Sequence, residues 1–316
     1  MRLRTITEAD LGRVLACTTD DPVGVIDPEL LRRRFADGQY RPGLTWIAEN
    51  RGQILGRAVW WQPPGGAYPR ALDCLLVDGS VPDRASLAVN LLGQAHEQFL
   101  DGGMSVLPAY HVFLPTGWRD QPDVVAALQW RQQAAQRAGL TRELERLRYQ
   151  WTPAAGLPAR PGRLEFRAEP DGEAFLAAFL RVAEGSLDAT TTEGAAAVGA
   201  HRQARDAMRY YLSMPSPREW WRLAYTPQGG LAGLAIPARN ADGPVVAYLG
   251  VVPELRGNGY VDDLLAETTH LLAAAGARWI QADTDLANQP MAAAFQRAGY
   301  RNFAVRMVLS APMYSA

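Results

Sequence analysis

The period of apolar and polar positions changes along the chain in an order that occurs twice. Short alternating runs, "MRLRTIT" from Met1 and "GRLEFRAEP" from Gly162, open the two halves, and helical segments such as "GEAFLAAFLRVAEGSL" follow. "LTWIAENRGQILGRAVWWQ" from Leu44 and "EWWRLAYTPQGGLAGLAIPA" from Glu219 each predict two strands joined by a glycine-containing hairpin. Next, "RALDCLLVDGSVPDRASLAVNLLGQAHEQFLDGG" and "PVVAYLGVVPELRGNGYVDDLLAETTHLLAAAG" each predict a buried strand, a loop and an amphipathic helix. The runs "YHVFLP" and "RWIQADTD" then predict strands, and helices ending at Gly139 and Gly299 precede a closing strand each time. Between the halves lies "WTPAAGLPARPG", which has no periodicity and little to bury, and which predicts a linker. The matched order implies an internal duplication, with domains over 1–152 and 163–316. The fold class is α+β: two repeats, each a mixed, mostly antiparallel twisted sheet flanked by helices.

Composition narrows the partners. Among 316 residues, 32 Lys and Arg nearly balance 33 Asp and Glu, so there is no broad basic field for nucleic acid or an anionic membrane. No apolar stretch reaches the 18 or so residues of a membrane span, and the amino terminus has no signal-peptide core. Cys17 and Cys74 lack metal-ligand spacing and cannot build a disulfide framework, so a cytoplasmic protein without a metal site is expected. His96, His111 and His270 are scattered, without zinc or triad spacing. The sequence leaves the oligomeric state open.

One stretch, "VVPELRGNGYVDDLL" from Val251, carries candidate chemistry. The strand "VVAYLGVVP" is apolar without alternation, as expected of a strand covered on both faces. Downstream, Val261, Leu264, Leu265, Thr268, Leu271 and Leu272 form one helical stripe. Arg256 to Tyr260 therefore lie between a strand end and a helix start, where free amides and the helix dipole attract anions. Gly257 and Gly259 let the backbone approach a phosphate, and Arg256 offers a charged donor. A plain tight turn is the alternative reading of the same residues.

The order strand, R-G-x-G, amphipathic helix, strand, Asn-bearing loop and helix ending in Gly-aromatic resembles the GNAT family of acetyl-CoA-dependent N-acyltransferases. Arg256, Gly257, Asn258, Gly259, Tyr260 and Val261 fall on that family's pyrophosphate signature, R/Q-x-x-G-x-G/A. Asn288, Met291, Phe295, Gly299 and Tyr300 have spacing similar to its N-x-x-A-x-x-L-Y-x-x-x-G-F helix. The resemblance implies acetyl-CoA as acyl donor and a small-molecule primary amine as acceptor. It also puts Leu249, Gly250 and Val251 on the splayed strand that pairs with the pantetheine arm, and includes Asn288 and Phe295 in the cofactor site. In tandem members one repeat often loses cofactor binding. The first half's "DGSVPDRASL" has one glycine and carboxylates that would repel phosphate, so that half is expected to be structural.

Two departures matter. Val261 stands where the family has Gly or Ala, and Phe295 stands where many relatives place a proton-donating Tyr. A base is still required, because a protonated amine cannot attack a thioester. Asp283 is the candidate, with Asp285 on the same strand face; hydrogen bonding to the next loop is the alternative for both. Tyr248 is a candidate substrate contact or water carrier, with a core role as its alternative, and His201 is a further candidate base. Glu184, Asp188 and Glu193 either attract a cationic amine or edge a solvated helix. The pairs Trp60–Trp61 and Trp220–Trp221 should each point one ring inward and one outward.

Overall fold

The computed structural model describes residues 1–17, 19–24, 26–63 and 65–312. In chain order the elements begin with β1 (Arg2–Thr5), α1 (Leu11–Ala16), α2 (Pro28–Ala36), β2 (Thr45–Asn50), β3 (Gln53–Trp61) and β4 (Ala71–Val77). Then come α3 (Arg84–Asp101), β5 (Ala109–Leu114), α4 (Pro122–Arg137) and β6 (Arg142–Trp151). After the linker follow β7 (Glu165–Arg167), α5 (Gly172–Ala183), α6 (Ala189–Val198), α7 (Ala200–Leu212), β8 (Arg222–Tyr225), β9 (Leu231–Asn240) and β10 (Gly243–Val251). The chain closes with α8 (Tyr260–Ala274), β11 (Ile280–Asp285), α9 (Gln289–Arg297) and β12 (Arg301–Ser310).

Two units emerge, one of Met1–Glu145 with Val305–Pro312 and one of Arg146–Ala304. The linker predicts a cut after residue 152, but the chain divides inside β6. The cause is strand pairing. Arg146–Trp151 of β6 run antiparallel to β11, with Trp151 opposite Ile280 and Arg146 opposite Asp285. Val305–Leu309 of β12 run antiparallel to β5, with Val305 opposite Leu114. Each repeat thus yields its last strand to the other unit. Within the first unit the strand order is β1-β2-β3-β4-β5-β12 and within the second β7-β8-β9-β10-β11-β6, the same order twice. All neighbours are antiparallel except β4 with β5 and β10 with β11.

On β3 Trp60 is buried and Trp61 partly exposed, as the strand period requires. Trp221 is buried and Trp220 partly exposed, but this pair lies at a short helical turn, Arg218–Trp220, ahead of β8 rather than in a strand. In the second unit, Ile280, Ala282, Leu265, Leu272 and Phe295 pack one face of the sheet, and Phe175, Phe179, Trp221 and Ile236 pack the other. Burial of such side chains contributes roughly 1.5–3 kcal/mol each, so both faces of β9 to β11 are held firmly.

In the first unit His96 of α3 is buried beside Trp60, and its Nε2 has no hydrogen-bond partner among the described residues. Desolvation holds the imidazole down to about 4, against a smaller opposing effect from a hydrogen bond to the Ala138 backbone. A folded value below the unfolded value of about 6.5 means that the unfolded chain takes up the proton first as pH falls. Stability is therefore lost between about pH 6.5 and pH 4, by up to about 3 kcal/mol from this group. Denaturant titrations at pH 7 and pH 4.5 should show a smaller loss for His96→Gln than for the wild type; equal losses would refute this.

The swapped strand gives a second expectation. A fragment of residues 163–304 lacks the strand that covers β11 and should associate more strongly on gel filtration than residues 146–304, because an uncovered apolar strand edge templates association; equal association would refute this.

Candidate functional site

β10 and β11 begin as neighbours and then part. Their shared register among the described residues is Val245 opposite Gln281, whereas β10 stays paired to β9 as far as Val251 opposite Gly233. A bulge between Val246 and Tyr248 re-aims the strand at this point. Tyr248, Leu249, Gly250 and Val251 thus follow the point where the ladder to β11 stops.

Two glycines set how closely the chain approaches its neighbours here. A Cβ on Gly250 would lie 2.1 Å from Cγ1 of Val182 on α5, and a Cβ on Gly233 would lie 2.2 Å from the Gly250 carbonyl oxygen. The splayed strand is therefore pressed against α5 and β9 at contact distance.

Beyond Val252, a short turn at Pro253–Leu255 leads into Arg256. Gly257 and Gly259 adopt φ of +81° and +74°, the left-handed region that L side chains seldom enter. Gly259 caps α8 with no side-chain bond. Among the described residues, no carbonyl or side chain accepts a hydrogen bond from the amides of Gly257, Asn258, Gly259, Tyr260 or Val261. These are the donors a helix start leaves open, and they gather at the end of the splayed strand.

The side chains of the loop have other work. Arg256 donates from Nε to Val251 O at 3.1 Å, from Nη1 to Gly185 O at 2.9 Å and from Nη2 to Val182 O at 2.9 Å. Its guanidinium thus ties the loop to the carboxyl end of α5. Asn258 donates from Nδ2 to Leu255 O and Arg256 O, which closes the turn. Val261 packs its branched side chain into the core rather than over the loop. Sequence reasoning missed Arg163, which donates to Asn258 O at 3.0 Å and Gly259 O at 2.8 Å and pairs with buried Asp263.

Of the remaining candidates, Asn288 caps α9, its Oδ1 accepting from Met291 N at 3.3 Å. Phe295 is 2 % exposed and stacks on Tyr149 of β6 at 5.1 Å. Asp283 faces Arg148 across the β6–β11 pair, with Nε to Oδ1 at 3.4 Å. Asp285 accepts from Ala189 N at 2.7 Å and lies 3.3 Å from Arg146 Nε, so it anchors the start of α6. His201 is exposed on α7.

Tyr248 lies on the opposite side of β10 from α8, its ring centroid 5.3 Å from Phe179 and 5.6 Å from Tyr211. Burial, and then the charge of Asp188, push its phenol up, so it remains protonated at neutral pH. Thr191 and Asp188 lie close to this phenol, and Thr191 donates to Asp188 Oδ1 at 2.8 Å at the cap of α6.

The matching place in the first unit is filled. β4 and β5 are paired at Ala71 opposite Ala109 and Leu72 opposite Tyr110. Beyond that point, buried Arg131 of α4 donates to Leu75 O on β4, to Val23 O and to Asp21. At the start of α3, Asp83 accepts from Ser86 N and Asp78 accepts from Ser80 N, both at 2.9 Å. A depression of about 500 Å³ beside this helix start is lined by Asp20, Asp21, Asp78 and Asp123 together with Arg84, which pairs with Asp21, so carboxylates outnumber cations there.

No protein-family model matches the sequence, and no curated protein matches it either. Solved structures do resemble it. A GCN5-related N-acetyltransferase from Sphaerobacter thermophilus has 14% identity and a TM-score of 0.60, covering 99% of this chain and 96% of its own. A tandem GNAT protein from the clavulanic acid biosynthesis pathway has 16% identity and a TM-score of 0.50, with 100% of both chains covered. The glucosamine N-acetyltransferase region of a fungal multi-domain GH3 β-N-acetylglucosaminidase has 14% identity and a TM-score of 0.57, covering 97% of this chain and 38% of that one. The chain has the tandem GNAT fold.

The glycine contact makes a direct prediction. Gly250→Ala should destabilise the second unit by about 1–3 kcal/mol, the usual range for overpacking. Adding Val182→Ala, which removes the opposing Cγ1, should recover part of that loss in denaturant titrations; no recovery would place the strain elsewhere.

Proposed function

We propose that this protein is an acyl-CoA-dependent N-acyltransferase that moves acetyl from acetyl-CoA to a primary amine of a small molecule. The carrying observation is the open row of amides from Gly257 to Val261 at the end of a strand that has left its neighbour. The shared fold with structures titled as GNAT acetyltransferases supports the same reading. Within it, the second unit holds the donor and the first unit is structural, since Arg131 and the α3 caps occupy the corresponding places.

The diphosphate of CoA would accept from the loop amides, where charge and the α8 dipole both favour an anion. The pantetheine arm would lie along Tyr248 to Val251 and place the thioester beside the sheet. A neutral amine then attacks the thioester carbonyl carbon; the C–N bond forms as the carbonyl electrons move to oxygen. A backbone amide near Leu249 to Val251 would stabilise that oxyanion, and its collapse expels the CoA thiolate. Phe295 supplies no proton to the leaving group, so the modest pKa of the thiol carries that step.

For the base, the geometry favours Tyr248 over a direct carboxylate. Asp283 is engaged by Arg148 across the β6–β11 pair, 3.4 Å from its Nε. Tyr248, with Thr191 and Asp188 close by, would carry the proton away from the acceptor amine.

Thiol release from acetyl-CoA, measured over a panel of amines alongside calorimetric binding, tests the proposal. Binding with no turnover would instead favour a silent CoA-binding protein, a reading that rests on Phe295 and the paired Asp283. In an active protein, Tyr248→Phe should lower kcat about 10- to 100-fold and leave KM for acetyl-CoA nearly unchanged. An unchanged kcat would remove Tyr248 from the mechanism.

A further inference from the structure

The loop is held on two sides, and only one hold comes from its own sequence. Arg256 ties it to α5. The other is Arg163, which immediately follows the linker and lies far from the loop in sequence. Its guanidinium donates to Asn258 O through Nη1 and to Gly259 O through Nη2, and its Cζ sits 5.3 Å from the Tyr260 ring centre. Asp263, on the first turn of α8, holds the same guanidinium: Nε donates to Oδ2 at 3.0 Å, Nη2 pairs with that oxygen, and the Arg163 amide donates to Oδ1 at 3.3 Å. Asp263 is itself 3 % exposed, so the fork has a fixed base.

A trans peptide points its carbonyl and the following N–H in opposite directions. With the carbonyls of Asn258 and Gly259 turned onto Arg163, the amides of Gly259 and Tyr260 must face the other way. On the reading above, that is the side the diphosphate would take. We infer that Arg163 is a positioning residue for the acyl donor: it selects the peptide orientation that presents these two amides, without touching the ligand. The need for such a residue is local. Gly257 and Gly259 make the backbone permissive. The Gly259 carbonyl also accepts from Asp262 N at 3.0 Å, so α8 helps to set the Gly259–Tyr260 peptide; the Asn258–Gly259 peptide has its carbonyl on Arg163, outside the loop. The planar fork of arginine meets both carbonyls and the carboxylate together, a pattern that an ammonium group cannot reproduce.

The inference rests on the proposed CoA site, and the test separates the two. Calorimetry with CoA is run on the wild type, Arg163→Ala and Arg163→Lys, with thermal midpoints recorded for each. The wild type should bind, and both variants should bind about tenfold more weakly or worse. Turnover supplies the second readout. With acetyl-CoA, kcat/KM should fall by the same factor, whereas with an acetyl thioester lacking the nucleotide, such as S-acetyl-N-acetylcysteamine, it should not change. Arg163→Lys carries the comparison if Arg163→Ala fails to fold. Unchanged CoA affinity in Arg163→Ala overturns the inference. So does wild-type affinity in Arg163→Lys, which would mark a simple charge effect, or an equal loss with the short donor, which would mark general destabilisation. A wild type that does not bind CoA overturns the site itself.

Discussion

A backbone N–H that finds no acceptor is costly unless water or a ligand reaches it, and the second unit gathers several of them in one place. The first turn of any helix has such donors, and most helices here close them with a side chain. Asp83 caps α3, Asp188 caps α6 and Asn288 caps α9. At α8 the cap is Gly259, which has no side chain to give. Two arginines brace the surrounding peptides from their carbonyl side, so the donors cannot collapse onto the loop's own oxygens. The open site is therefore a consequence of which groups are already satisfied.

The same accounting explains why two repeats with one topology differ in chemistry. β4 leaves β5 much as β10 leaves β11, and in both units the parting strand has backbone groups to satisfy. In the first unit Arg131 fills that need from the inside, with Asp21 compensating its buried charge. Removing either partner would strand the other charge, so this plug is self-reinforcing. The second unit has no counterpart: the residue eight before Gly299 is Met291, where the residue eight before Gly139 is Arg131.

Sequence was most informative where one element contains its own cause. Period changes located the strands and helices, and the glycine spacing located the loop, because left-handed φ at Gly257 and Gly259 is a local demand. It was least informative where the cause lies across the chain. The exchange of β6 and β12 leaves no local mark, since each strand alternates in the same way whichever sheet receives it. The roles of Arg163 and Arg256 were hidden for a related reason. A basic residue near a phosphate loop suggests a direct contact, whereas these guanidiniums meet backbone carbonyls that only the folded chain brings within reach. Gly250 belongs to the same class: its need for glycine comes from Val182, 68 positions earlier.

On the proposed function, the exchange of strands bears on which proton-bearing groups stand beside the donor. Arg146 and Arg148 enter the second sheet on β6 and meet Asp285 and Asp283, the carboxylates that sequence order places nearest the thioester. Tyr149, from the same strand, stacks on Phe295. One borrowed strand thus supplies partners to both positions from which acid and base chemistry would be expected. What remains beside β10 is a protonated phenol near Thr191 and Asp188. On the proposed function, a site so composed would gain rate chiefly by holding donor and acceptor together in a productive geometry, a contribution that can reach roughly 7–11 kcal/mol in well-oriented systems. The direction of a few loop amides, and hence Arg163, would then matter alongside the phenol of Tyr248.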